Sequence, residues 1–168
     1  IVQNPVLKIK NLHPQTLFQT FFSWHADSTY PQKRIYRPIP CLTFALNWFI
    51  GQYNVFGYHL VNILIHLATA FILFMTLLRL FETPQLKDRY MKNAYFIALL
   101  TAALWALNPI QTGAVTYIVQ RMAAMSAMFY ILGIYFYVRT RLTRAQTARI
   151  FFIYGCLLSY LCALASQE

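Results

Sequence analysis

The sequence predicts an all-α integral membrane protein: about four transmembrane helices and two short interfacial helices, part of a larger bundle. Three observations carry this. Hydrophobic residues make up 59% of the 168-residue chain and charged residues only 11%, against about 25% charged in ordinary soluble domains. Several apolar runs approach the roughly 17–25 residues that cross a bilayer. Aromatic residues reach 17%, as suits a chain that crosses the headgroup level repeatedly.

The first 57 residues are more polar than the rest, yet rich in aromatics, and read as an extracytoplasmic loop with interfacial helices. Pro14 opens one predicted helix, with apolar positions Leu17, Phe18, Phe21 and Phe22. A second starts at Pro40, where Leu42, Ala45, Leu46, Phe49 and Ile50 form one stripe. Both are too short to span and fit the outer membrane face; packing against other parts of the protein is the alternative. The stretch Ser23–Lys33 between them reads as an exposed loop.

Residues 58–168 hold the predicted spans: 58–78, 93–108, 115–138 and 150–166. Arg79, Lys87, Arg89 and Lys92 lie between the first two, against Glu82 and Asp88. Arg139, Arg141, Arg144 and Arg149 lie between the last two, with no acid. Basic loops stay cytoplasmic, so residues 1–57 and the turn 108–114 are expected on the other side. The chain starts without Met and stops just after an apolar run, which predicts further sequence before Ile1 and after Glu168.

The net charge of +10 does not point to nucleic acid, because no groove-reading or base-stacking motif accompanies it. Cys41 stands alone, Cys156 and Cys162 lie inside an apolar run, and no metal-ligand spacing occurs. No phosphate loop or nucleophile elbow is present.

Polar side chains within or beside apolar helices are costly and mark candidate sites. Arg37, preceded by Tyr36, offers a forked, permanently charged donor suited to phosphate; a salt bridge or snorkelling is the rival reading. His59, Asn62 and His66 share one helix face and should line a polar cleft or make interhelical hydrogen bonds. Tyr117, Gln120 and Arg121 open the third span, with Tyr117 and Arg121 four residues apart. Arg121 lies far from the basic loops, so it is expected to hold an anionic headgroup or to snorkel.

The runs Tyr36-Arg-Pro-Ile-Pro, Phe44-Ala-Leu-Asn, Phe56-Gly-Tyr-His-Leu-Val-Asn-Ile-Leu-Ile-His66 and Leu107-Asn-Pro-Ile-Gln-Thr-Gly-Ala-Val-Thr-Tyr-Ile-Val-Gln-Arg121 resemble one family. It is the GT-C membrane glycosyltransferases related to the transmembrane and tetratricopeptide-repeat O-mannosyltransferases, in a bacterial-type form. The resemblance implies a GT-C-like bundle followed by tetratricopeptide repeats, a polyprenyl-phosphate sugar as donor substrate, and no further cofactor. It implies a protein or glycan acceptor outside the cytoplasm, other membrane subunits as possible partners, and a bacterial inner membrane as host, with the endoplasmic reticulum as the alternative.

The same resemblance implies an acidic catalytic pair upstream of Ile1. The family often has His-Pro where this chain has Asn108-Pro109, and Ser166-Gln-Glu168 is similar to the start of its Ser-Lys-Glu motif. Glu168 is therefore a candidate for a second acidic role. Arg37 and Arg121 are the candidate donor-phosphate ligands, and Tyr36, His59, Asn62, Tyr117 and Gln120 the candidate donor cleft. The expected function is polyprenyl-phosphate-sugar-dependent glycosyl transfer. The alternative is a non-catalytic structural or assembly subunit that keeps the fold; a transporter or channel fits less well, since the polar groups gather at one surface rather than the midplane.

Overall fold

The computed structural model describes residues 8–9, 13–15, 20 and 37–167. Among these the secondary structure is helical, with no strand. Most of the first predicted interfacial helix and the loop Ser23–Lys33 lie outside the described residues; Pro14, Gln15 and Thr20 are helical.

Helix α1 (Pro38–Gly51) begins two residues before the expected Pro40, because Pro38 already supplies the fixed φ of a first-turn proline. Its orientation is the reverse of a soluble helix. Phe44, Ala45 and Asn47 are buried, while Leu46, Phe49 and Ile50 from the apolar stripe point outward. Gln52 takes φ +47°, a rare value for a residue with a side chain, and turns the chain back toward α2 (Val55–Phe81). The Tyr58 hydroxyl donates to the Gln52 carbonyl at 3.2 Å and ties this turn down. Asn54 caps α2 by accepting from the Phe56 amide at 3.0 Å.

A short helix α3 (Pro84–Tyr90) and a 3-10 turn lead into α4 (Ala94–Ala106). The chain then bends by 52° into Pro109–Thr116, which contains a further 3-10 turn and α5 (Thr112–Thr116). The bend has a local cause. Asn108 precedes a proline and is extended, with φ −63° and ψ 128°, and its side chain accepts from the Ile110 amide at 3.0 Å. Helices α6 (Arg121–Leu142) and α7 (Gln146–Gln167) complete the bundle. Three helical segments, Val55–Phe81, Ile118–Leu142 and Gln146–Gln167, are long and apolar enough to cross a membrane, and a fourth is added if the bent pair counts as one span. The second of these continues past Val138 because the helix takes in Arg139, whose guanidinium lies 4.8 Å from the centre of the Phe152 ring.

The interior is small and polar, as expected where lipid already solvates the large apolar side chains. Helix α2 buries Asn62, Thr69 and Thr76; α4 buries Ala94, Ala98 and Ala102; α7 buries Ser159, Ala163 and Ser166. Leu and Phe residues face out along the same helices. At Gly155 an added Cβ would come within 3.1 Å of the Phe136 ring, so glycine allows α6 and α7 to pack this closely.

Contacts fix the directions. Arg121 meets Tyr58 and Asn62 near the start of α2, and Val138 and Leu142 line a cavity with Leu80 near its end. Helices α2 and α6 are therefore parallel. His66 reaches Ala106 and Phe74 packs on Tyr95, so α4 runs antiparallel to α2. Ser126 bonds Ala163 while Arg139 covers Phe152, so α7 runs antiparallel to α6. Both basic connections consequently lie at one end of the bundle, with Arg37 and Arg121 at the other.

Candidate functional site

Arg121 begins α6 and has 0% exposure. Its Nε donates to Asn62 Oδ1 at 2.8 Å, Nη1 to Asn47 Oδ1 at 2.6 Å and Thr43 Oγ1 at 3.4 Å, and Nη2 to the Tyr58 carbonyl at 2.9 Å. The Phe44 ring lies under the guanidinium, 4.4 Å from centroid to carbon, a cation–π arrangement. All these partners are neutral. The acids among the described residues, Glu82 and Asp88, sit at the opposite end. Arg121 is thus a buried cation that joins α1, α2 and α6 through dipoles and an aromatic face. It does not snorkel, and its hydrogen-bonding edge is turned into the protein.

Asn62, also with 0% exposure, is the second half of this junction. While Oδ1 accepts from Arg121, its Nδ2 donates to the Val115 and Tyr117 carbonyls, each at 3.4 Å. These carbonyls belong to the bent segment, where regular helix hydrogen bonding is interrupted; the Tyr117 carbonyl also accepts from the Gln120 amide at 3.0 Å. His59 Nδ1 lies 3.5 Å from the same Val115 carbonyl. Further along α2, His66 Nε2 is 3.0 Å from the Ala106 carbonyl, so that nitrogen carries the proton. The His66 ring also stacks on Trp105 at 5.1 Å.

Arg37 is different. It sits just before α1, half-buried, and its Nη1 donates to the Met122 thioether at 2.8 Å. Sulfur is a weak acceptor. Its Nε is buried with no partner among the described residues. Among the described residues Arg37 is thus a guanidinium with donating capacity left over, held against the residue that follows the enclosed Arg121 on α6. Beside it, burial pushes the Cys41 thiol up from its ordinary value, outweighing the opposite pull of the Arg37 charge. Cys41 is a packing residue here and a poor nucleophile.

Tyr117 and Gln120 are exposed at the same end, Tyr117 at 66%. Their sequence spacing predicts Tyr117 and Arg121 on one helix face, and the structure separates them. Tyr117 is extended, with φ −88° and ψ 113°, and a 3-10 turn over Ile118–Gln120 separates it from α6. The i,i+4 relation fails because there is no continuous helix between them. Tyr36 and Glu168 lie outside the described residues. Sequence reasoning misses Asn47, Thr43, Phe44 and Tyr58 as site residues, although each contacts Arg121. A signal exists for two of them: Asn47 is an amide inside an apolar helix, and Phe44 and Asn47 open and close the Phe44-Ala-Leu-Asn motif.

These features define a helical integral membrane protein with a polar, arginine-centred junction at one end. Among known proteins, the chain is 32% identical over 140 residues to protein O-mannosyl-transferase TMTC3 of Mus musculus, covering 81% of this chain and 14% of that protein. It is 32% identical over 119 residues to TMTC4 of Homo sapiens, covering 66% of this chain and 16% of the relative. With TMTC2 of Mus musculus it shares 34% identity over 114 residues, 68% of this chain and 12% of the relative. No family model matches the chain, and no solved structure matches it. The chain belongs to the TMTC family of membrane proteins, and it spans only 14% of the length of the TMTC3 relative.

Proposed function

We propose that the protein to which this segment belongs is a glycosyltransferase that takes a sugar from a polyprenyl-phosphate donor at the extracytoplasmic face and transfers it to a protein hydroxyl. The relatives' names, which specify protein O-mannosyl transfer, favour mannose as the sugar. That face is periplasmic if the host is a bacterial inner membrane and lumenal if it is the endoplasmic reticulum.

The observation that carries the reading is the contrast between the two arginines at one end of the bundle. Arg121 makes four hydrogen bonds to neutral groups of this chain, whereas Arg37 makes one, to the Met122 thioether, among the described residues. In the proposed complex Arg37 holds the donor phosphate directly, with Tyr36, His59, Tyr117 and Gln120 around it. Arg121 and Asn62 fix the cleft from behind, and the enclosed positive charge of Arg121 adds attraction for the phosphate without touching it. The acceptor oxygen bonds to the anomeric carbon as the bond from that carbon to the phosphate oxygen breaks. The acceptor proton passes to a carboxylate upstream of Ile1, acting as general base. The polyprenyl phosphate leaves with its charge stabilised by Arg37, as electrostatic stabilisation of a leaving group requires. Glu168 takes a second acidic role.

The test is transfer from polyprenyl-phosphate mannose to an acceptor peptide by the whole protein. Arg37→Ala should raise the donor KM about ten-fold or more, the scale of one charge-assisted hydrogen bond. An unchanged donor KM in a normally folded variant would remove Arg37 from the phosphate. Absence of transfer by wild type with every polyprenyl-phosphate sugar tried would favour the non-catalytic subunit.

A further inference from the structure

The opposite end of the bundle carries a second, unassigned feature. A cavity of about 410 Å³ lies between the end of α2, the start of α3 and the end of α6. Leu80, Pro84, Val138 and Leu142 form its apolar wall, and Thr83, Gln85, Tyr137 and Arg141 supply its polar groups. A groove of about 210 Å³ runs between α6 and α7, lined among others by Tyr130, Gly133, Ile134, Tyr137 and Tyr160. Tyr137 belongs to both. On α6, residues 130, 133, 134, 137 and 141 follow the i, i+3, i+4, i+7, i+11 spacing of one helix face. One continuous track therefore leads from a cationic pocket at the helix ends to an aromatic-walled groove beside the lipid-facing surface.

Charge identifies what the pocket takes. Arg79, Lys87, Arg89, Lys92, Arg139, Arg141, Arg144 and Arg149 gather at this end, against Glu82 and Asp88. Glu82 is already occupied by Arg79, in a 2.6 Å ion pair, so it does not neutralise Arg141. Arg141 makes no hydrogen bond or ion pair among the described residues and is exposed. The Nε atoms of Arg79 and Arg139 are buried without acceptors among the described residues. This end has guanidinium donors in excess of its anions.

We infer that this track binds an anionic phospholipid, its headgroup phosphate on Arg141 with Gln85, and an acyl chain along the Tyr130–Tyr137 groove. A basic pocket between transmembrane helices is the chemistry that selects acidic lipid headgroups, and Arg suits phosphate because its donors form a planar fork. The chain portion follows from Gly133. An added Cβ there would make ordinary contact with Ser159 and the Cys156 carbonyl, at 3.7 and 3.9 Å, so α6 lies against α7 at the groove floor and a side chain larger than alanine would fill the space there. The site stands apart from the Arg37 end and does not depend on the reaction proposed there.

The experiment uses the whole protein in nanodiscs of phosphatidylcholine containing phosphatidylglycerol, and counts the lipids retained after gentle detergent extraction by native mass spectrometry. Wild type should retain phosphatidylglycerol over phosphatidylcholine. Arg141→Gln should lower that preference about five-fold, the scale of one basic side chain at an anionic surface. Arg144→Gln, outside the pocket, should leave it unchanged. Gly133→Leu should reduce retention by filling the groove while Arg141 remains. Gly133→Ala, whose methyl group would make only ordinary contacts with α7, should retain lipid as wild type does and so separates groove filling from misfolding. Equal loss in Arg141→Gln and Arg144→Gln would reduce the effect to general surface charge and overturn the site. Displacement of the lipid by millimolar inorganic phosphate would show a free-anion site and overturn the acyl-chain half. Equal retention of the two lipids by wild type would overturn the whole inference.

Discussion

The two ends of the bundle use arginine in opposite ways. At one end Arg121 is enclosed, with four neutral oxygens and an aromatic face around its guanidinium. At the other, Arg141, Arg144 and Arg149 are exposed, and their side chains make no hydrogen bond or ion pair among the described residues. A charged group within a membrane protein must be surrounded by compensating dipoles or reach water, and the protein uses each solution at a different end. The enclosed arginine holds three helices together. The exposed ones are free to set orientation and to meet headgroups.

Breaking the enclosed end should have the largest effect. Arg121→Ala strands the Asn62 and Asn47 side-chain oxygens and the Tyr58 carbonyl, and should cost about 3–5 kcal/mol. Thermal unfolding of the purified whole protein in lipid nanodiscs would show it as a large drop in midpoint or as failure to accumulate. Arg121→Lys should rescue little, because an ammonium cannot reproduce the fork that reaches Asn62, Asn47 and Tyr58 together. Full stability of Arg121→Ala would end the account of this residue as the junction.

Asn62→Ala should come next, at about 1–2 kcal/mol, the range of interhelical hydrogen bonds in membranes. It frees Arg121 Nε and leaves the Val115 and Tyr117 carbonyls without their shared donor. Hydrogen exchange read over 112–120 should rise more than in α7, since the broken segment is what Asn62 braces. Uniform protection across both regions would count against that bracing role.

The smallest stability effect belongs to the exposed end. Arg144→Gln with Arg149→Gln should change stability by less than about 0.5 kcal/mol, as surface substitutions do. The same pair should weaken the orientation signal, because loop Lys and Arg set topology. Labelling of Ala145→Cys by a membrane-impermeant reagent, in a background with Cys41, Cys156 and Cys162 each replaced by Ser, would read this. The background protein should label from the cytoplasmic side alone, and the doubly substituted protein from both. Outside labelling in the background protein would reverse the assignment of sides, and with it the face on which the proposed transfer occurs.

Part of the candidate site is legible in the amino-acid sequence. Asn62 and Arg121 stand out because strongly polar side chains in apolar helices demand partners, and Arg37 because it precedes a proline-led helix beside them. Their roles are less legible. A guanidinium coordinated by Asn and a backbone carbonyl has the same sequence signature as one left open for phosphate. The partners of Arg121 lie 59 to 78 residues away along the chain, and helical periodicity carries no information over that distance. Tyr117 illustrates the local limit, since an i,i+4 relation presupposes a continuous helix, and the extended backbone there removes it.

The sequence by itself determined the helical membrane class, the family and the charge asymmetry of the loops. Those depend on run length, composition and motif, which need no knowledge of neighbours. Tertiary structure alone decided which arginine is enclosed and which has few partners among the described residues. It also decided that Leu46, Phe49 and Ile50 of the α1 stripe face outward while Ala45 is buried, and that Tyr137 joins a basic pocket to a groove. Each of these depends on which helix surfaces meet, and small residues such as the buried Ala98 and Ser159, and Gly155 against Phe136, settle that by how closely they let the backbones approach.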